Sequence, residues 1–157
     1  MTVTFLTVGK LSKGYLKEGC DDFLKRLKAF GQMNVIEVPE VALKNPSVAQ
    51  TVQAQEKESQ ALLEKCPPGF VILCDLEGVQ FSSPALAQKI SHVLTYQDSN
   101  LIFVVGGSHG VSSTLKAKAN LVWSFSPLTF PHQLARLMLL EQVYRAFTIL
   151  HHHPYHK

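Results

Sequence analysis

Five short apolar runs separated by stretches of helical periodicity limit what this chain can fold into. The runs are Val3–Val8, Met33–Val38, Phe70–Cys74, Leu101–Val105 and Leu121–Phe125, each rich in the Val, Ile or Phe that suit a pleated, half-buried backbone. Between them apolar residues recur every three or four positions. Leu16, Cys20, Leu24 and Leu27 form one such series; Val48, Val52 and Leu62 or Leu63 form a second; Leu86, Ile90, Val93 and Leu94 form a third. Strand and helix therefore alternate. Parallel neighbours need a crossover long enough to hold a helix, so the pattern predicts an α/β fold with a mostly parallel sheet flanked by helices on both faces. Ligands are then expected where the strands run out into loops.

A length of 157 residues and a 46% hydrophobic content suit one α/β domain spanning residues 1–157. Ser47 is placed to cap the second helix, and Ser83 followed by Pro84 reads as a cap and first-turn proline for the third. Cys66-Pro-Pro-Gly69 is short enough to be a loop and not a domain boundary. No apolar run reaches the ~18 residues of a membrane span, and the alternating Thr2–Val8 follows Met1 without a signal-peptide pattern. Three scattered cysteines without a CxxC pair argue against a disulfide framework or a zinc site. These features predict a cytoplasmic protein with no membrane partner and no metal.

The net charge of +3 says little, but Ser99–Leu140 contains Lys116, Lys118 and Arg136 and no acidic residue. Either these are ordinary solvated cations or this stretch faces phosphates. After the turn-rich Ser126–Pro131, a long last helix carries apolar residues at Leu134, Leu137, Met138, Leu139, Leu140, Val143, Tyr144, Ala146 and Phe147. So broad a surface fits a helix buried both in its own core and against a second copy, although enclosure by its own domain gives the same pattern.

Three strand ends can open on one edge of the sheet: Cys74–Gly78, Val104–Gly110 and Phe125–Phe130. The second, Gly106-Gly107-Ser108-His109-Gly110, is neither GxGxxG nor a Walker loop, so nothing here points to a dinucleotide or nucleoside triphosphate. It is either a tight turn or a place where a ligand approaches the backbone. Backbone groups at such ends can read an adenine edge, with Leu76, Phe125, Leu128 and Phe130 as apolar walls; the alternative is plain core. Glu141 and Arg145, four apart, either form an ordinary helix ion pair or hold the guanidinium ready for an anion. The terminal His151-His152-His153-Pro154-Tyr155-His156-Lys157 contains four of the seven histidines. Adjacent side chains of an extended tail point apart, which disfavours a metal site, whereas Tyr155, His156 and Lys157 suit an unstacked RNA base and its phosphate.

Phe130-Pro-His-Gln-Leu134, Leu140-Glu-Gln-Val-Tyr-Arg-Ala-Phe147, the terminal His-Pro-Tyr-His-Lys157 and the Gly-Gly-Ser-x-Gly turn at Gly106 resemble the ribosomal RNA large subunit methyltransferase H family, the smallest SPOUT enzymes. The resemblance runs from end to end. It implies a SPOUT fold with a C-terminal trefoil knot, which no spacing rule can supply because knots are nearly absent from proteins. It implies a homodimer and S-adenosylmethionine as cofactor, bound at Cys74, at Gly106 and by Phe125, Ser126, Pro127, Leu128, Thr129 and Phe130. His132, Arg145, Tyr155 and His156 become the RNA-handling residues, to which the charge reading adds Arg136 and Lys157. The implied substrate is N3 of a pseudouridine in the intersubunit hairpin of 23S rRNA, in the assembled ribosome. Two departures stand out: Val41–Ser47 has a single lysine where many relatives are more basic, and Cys74 stands where leucine is common.

Methyl transfer from a sulfonium requires alignment above all, but N3 also carries a proton. Loss of that proton calls for an orienting histidine, His132 or His156, and a fixed cation, Arg145, to stabilise the anion. The rival expectation is a non-catalytic, ribosome-associated RNA-binding protein of the same fold, whose cofactor loop would be blocked. A metabolite-binding α/β domain would leave the Pro-Tyr-His-Lys tail without a purpose.

Overall fold

Alternate residues of the strands feed two separate cores. Leu101, Phe103 and Val105 point to one side, where they meet Cys20, Leu27, Leu86, Ile90, Val143 and Phe147. Ile102 and Val104 point to the other, against Leu62, Val111 and Leu115. Such two-sided burial is what continuous apolar runs, rather than strict alternation, encode.

The computed structural model describes all 157 residues. Its elements are β1 (Thr2–Val8), α1 (Gly14–Leu27), β2 (Gln32–Val38), α2 (Val48–Lys65), β3 (Phe70–Val79), α3 (Ser83–Tyr96), β4 (Asn100–Val105), α4 (Ser113–Lys118), β5 (Leu121–Trp123) and α5 (His132–Leu150). All neighbouring strands are parallel, in the order β2-β1-β4-β3-β5. Helices α1, α3 and α5 cover one face, while α2 and α4 cover the other. No helix is long and apolar enough to cross a membrane.

The helix starts follow local chemistry. Ser47 forms a capping box, accepting from Gln50 N at 3.2 Å while the Gln50 side chain accepts from Ser47 N at 2.8 Å. The cap of α3 is Ser82 and not the expected Ser83: Ser82 Oγ accepts from Ala85 N, which leaves Ser83 free to donate to Gln142. On α2 the expected apolar pair Val48 and Val52 is exposed. The buried stripe is Ala54, Glu58 and Leu62, and two residues from Val52 to Ala54 is a rotation of about 200°.

Two further expectations change. Leu139, Leu140, Val143, Ala146 and Phe147 of α5 all enter the core beneath α1 and α3, so the chain itself takes up much of the apolar surface read as a sign of a partner. The tail is not extended. His153 N donates to Thr148 O at 2.8 Å, and the His151 and His153 rings lie 5.0 and 5.6 Å from Phe30. Phe30 also stacks on Phe147 at 5.6 Å, linking the tail to the core. Because Phe147 is 1% exposed, Phe147→Ala should leave a cavity and cost about 3–5 kcal/mol. Denaturant unfolding checks this, and a loss below about 1 kcal/mol would show that Phe147 does not anchor α5 in the core.

Candidate active site

The crossovers determine where a ligand can bind. The chain leaves β3 for α3 on one face of the sheet and leaves β4 for α4 on the other, so the two loops diverge and open a crevice at the carboxyl ends. The segment joining β5 to α5 forms the third wall. The resulting cleft has a volume of about 810 Å³, within the range of small-molecule sites.

Of the residues expected to bind a cofactor, Cys74, Gly106, Phe125, Ser126, Leu128, Thr129 and Phe130 line this cleft; Pro127 lies in the same loop but not on the wall. His132 joins them from the first turn of α5. The third loop is braced by its own serines: Ser124 Oγ donates to Ser126 O at 3.0 Å, and Ser126 Oγ accepts from Leu128 N at 2.9 Å. Its Phe125 ring meets Trp123 edge-on at 4.7 Å. Leu76 and Leu128 remain 53% and 66% exposed, an apolar surface with no cover from the chain itself. Burial pushes the Cys74 thiol well up, so it is a neutral wall and not a nucleophile. No group of three His, Cys, Asp or Glu side chains is placed to hold a metal ion.

The cations expected to face phosphates are mostly engaged. Lys116 lines the cleft, but its Nζ lies 2.6 Å from Glu77 and 3.6 Å from Asp75, which raises the lysine pKa and lowers that of Glu77. Arg136 is a clear correction. It is 6% exposed, donates to Gly9 O at 3.0 Å and to Glu37 Oε1 at 2.6 Å, and so ties α5 to the ends of β1 and β2 instead of standing free on the surface. The stretch lacks acids of its own, but folding brings Asp75, Glu77 and Glu37 to it from elsewhere. Asp75 lies in the strand end Cys74–Gly78 expected to border the cleft, whereas Lys116 and Trp123 were not expected on its wall.

A second polar cluster forms around Glu141 on α5. Arg145 donates to Glu141 Oε1 through Nε at 3.0 Å and through Nη2, and Tyr155 OH donates to the same oxygen at 3.0 Å. The guanidinium also lies over the Tyr155 ring at 4.7 Å and 3.3 Å from His156 Nδ1. The Glu141 bond raises the Arg145 pKa, while burial and then the Glu141 bond raise that of Tyr155, so the guanidinium stays cationic and the phenol neutral. Glu141 thus holds Arg145 in one place, the pairing that both sequence readings of these two residues share. Lys157 is exposed beyond it. None of Arg145, Tyr155, His156 and Lys157 lines the cleft, so one copy of the chain presents a ligand cleft and a cationic, aromatic cluster as separate sites.

Comparison with known proteins places the chain in a family. Residues 1–156 match the family described as predicted SPOUT methyltransferase. The chain is 43% identical over 157 residues to ribosomal RNA large subunit methyltransferase H of Desulforamulus reducens, covering 99% of this chain and 98% of that one. It is 45% identical over 159 residues to the protein of the same name from Carboxydothermus hydrogenoformans, covering all of both. The fold is also that of a probable methylase family protein from Haemophilus influenzae, at 12% identity and a TM-score of 0.53, covering 99% of this chain and 70% of that one. A probable methyltransferase from Bordetella pertussis is similar at 14% identity and a TM-score of 0.51, covering 92% and 95%. With a family match along nearly its whole length and relatives above 40% identity, the chain belongs to the SPOUT methyltransferases, in the ribosomal RNA large subunit methyltransferase H family.

Proposed function

We propose that this protein is a cytoplasmic homodimer that uses S-adenosylmethionine to methylate N3 of a pseudouridine in the intersubunit hairpin of 23S rRNA, in the assembled ribosome. The observation that carries the reading is the meeting of Cys74, Gly106 and the Phe125–Phe130 loop in one open cleft. The names of the full-length relatives support the substrate class. The residues fit the cofactor: apolar walls from Leu76, Phe125 and Leu128 suit an adenine ring, and glycine at 106 and 107 lets the backbone come close to a ligand. A non-catalytic RNA-binding protein has no need of such an opening, which favours the enzyme.

When bound, S-adenosylmethionine supplies a methyl group activated by its sulfonium. The protein's own task is to align N3 and accommodate loss of its proton. Arg145 is suited to stabilise the resulting anion, because its bonds to Glu141 and its position over Tyr155 fix it before substrate arrives. His132, in the cleft, and His156, against Arg145, are the two residues suited to orient the base. Lys157 is free to meet a phosphate. We assign Arg136 to structure instead.

Trp123 pairs with both Cys74 and Val79, Ser124 N donates to Val79 O at 2.9 Å, and a Cβ on Gly78 would sit 2.6 Å from the Trp123 backbone. Residues 74–79 therefore bulge closely over the end of β5, and the knot itself is proposed from the family match. The homodimer has a different support: a second copy that brings its Arg145 cluster to this cleft joins what one copy keeps apart, and covers Leu76 and Leu128.

Two experiments test these roles. Wild-type protein should bind S-adenosylmethionine in isothermal titration. A Cβ on Gly106 would lie 2.6 Å from Val111 Cγ1, so Gly106→Val must displace the turn and should weaken binding at least about tenfold with the circular dichroism unchanged. Unchanged affinity would remove Gly106 from the cofactor wall. For the shared site, Gly106→Val and Arg145→Ala should each be inactive as homodimers. Their heterodimer, isolated through two different tags, retains one intact composite site and should recover about half of wild-type activity on ribosomes. An inactive heterodimer means that each protomer works with its own residues.

A further inference from the structure

We infer that Glu58, on the far side of the glycine turn from the cleft, is a positioning residue that fixes the cofactor wall. This rests on the reading of the cleft as the S-adenosylmethionine site.

Glu58 occupies the buried stripe of α2 between Ala54 and Leu62, a position where packing alone asks for an apolar side chain. It is 1% exposed, yet only Oε1 is satisfied, accepting from Val41 N at 2.9 Å; Oε2 is buried without a partner. That oxygen sits where a side chain at 107 would begin, 2.6 Å from the Cβ position of Gly107. Gly107 lines the cleft and Glu58 does not, so the carboxyl presses on the turn from behind.

The neighbours of Glu58 on α2 grip the same segment. Gln55 donates to His109 O at 3.2 Å, and Ser59 Oγ accepts from Ser112 N at 2.8 Å. The His109 ring lies 3.2 Å from Val41 O, so the loop after β2 is drawn into the same clamp. Gln55 and Ser59 therefore hold residues 109 and 112 by hydrogen bonds, and between them on α2 the Glu58 carboxyl fills the space against Gly107. Small shifts here move the cleft wall directly.

The charge environment adds a signature. Burial raises the Glu58 pKa, Glu40 raises it further, and the Val41 bond together with His109 and His132 opposes the rise. A carboxyl raised in the folded state favours folding below its folded pKa, and that contribution is lost as the pH rises through it. Ionisation places a charge on a carboxyl whose Oε2 has no partner, which should loosen the turn. The wild-type affinity for S-adenosylmethionine should therefore fall with rising pH more than that of Glu58→Gln, which keeps the acceptor for Val41 N but cannot ionise.

The test is titration of S-adenosylmethionine into full-length wild type, Glu58→Ala, Glu58→Gln, Gly107→Ala and the Gly107→Ala/Glu58→Ala double variant. We expect Glu58→Ala to weaken binding at least about tenfold, raising KM for the cofactor while kcat at saturation stays within about twofold. Glu58→Gln should restore affinity to within about threefold of wild type near neutral pH. Gly107→Ala should bind poorly because its methyl needs the space of Oε2, and the double variant should bind more tightly than the product of the two single losses. Full affinity in Glu58→Ala, or strictly additive losses, overturns the inference. Should Glu58→Ala not fold, the decision falls to the pH profiles of wild type and Glu58→Gln, followed upward from the ordinary carboxylate range through neutral pH, where parallel curves overturn it equally. A wild type that does not bind the cofactor refutes the underlying reading; a wild type that binds beside an unaffected Glu58→Ala refutes only this one.

Discussion

Parallel strand pairing with crossovers on alternating faces is the constraint on which the rest of this structure depends. It sends the chain upward from β3 to one face and from β4 to the other, and two loops that diverge from neighbouring strands cannot close over the sheet edge. The cleft is therefore a consequence of topology before any side chain is considered. What the side chains do is furnish it. Apolar groups from the first and third loops make walls, and glycines in the second keep the backbone accessible. The polar grip of α2 from behind keeps that backbone in place.

Charge in this protein serves positioning more than surface attraction. Arg136 is spent on Glu37 and Gly9 O, Lys116 on Glu77 and Asp75, and Arg145 on Glu141. Exposed ion pairs contribute little to stability, but a guanidinium held by several partners loses little freedom when it meets an anion. Arg145 differs from Arg136 in what remains open. Its side chain is 25% exposed against 7%, and its neighbours are Tyr155 and His156, residues able to touch a base. This distinction makes one arginine structural and the other a candidate for chemistry.

Much of this was legible in the sequence because the signals were local. Apolar runs gave five strands, Ser47 marked a helix start, and the strand ends named most of the cleft. Strand order was not legible, since β4 lies between β1 and β3 only after long-range pairing. Nor was the fate of Arg136, because its partner comes from β2, 99 residues away. Glu58 gave no warning for a related reason: a lone glutamate at helical spacing reads as solvated surface until the turn at Gly107 is folded against it. The family resemblance named Cys74 and Thr129, which no spacing rule would have singled out. The breadth of the apolar surface on α5 had two readings, and the fold accounts for one of them: α1 and α3 cover Leu139, Leu140, Val143, Ala146 and Phe147, while Leu137 and Tyr144 stay partly open.

The central claim is that this cleft serves methylation of a pseudouridine in large-subunit rRNA, and mass spectrometry of that RNA tests it most directly. Ribosomes from cells lacking the protein should yield an intersubunit-hairpin fragment whose pseudouridine lacks one methyl group. Adding purified protein and S-adenosylmethionine to those ribosomes should restore the methyl group at N3. A fragment of the same mass in cells with and without the protein, unchanged by the added enzyme, would contradict the account.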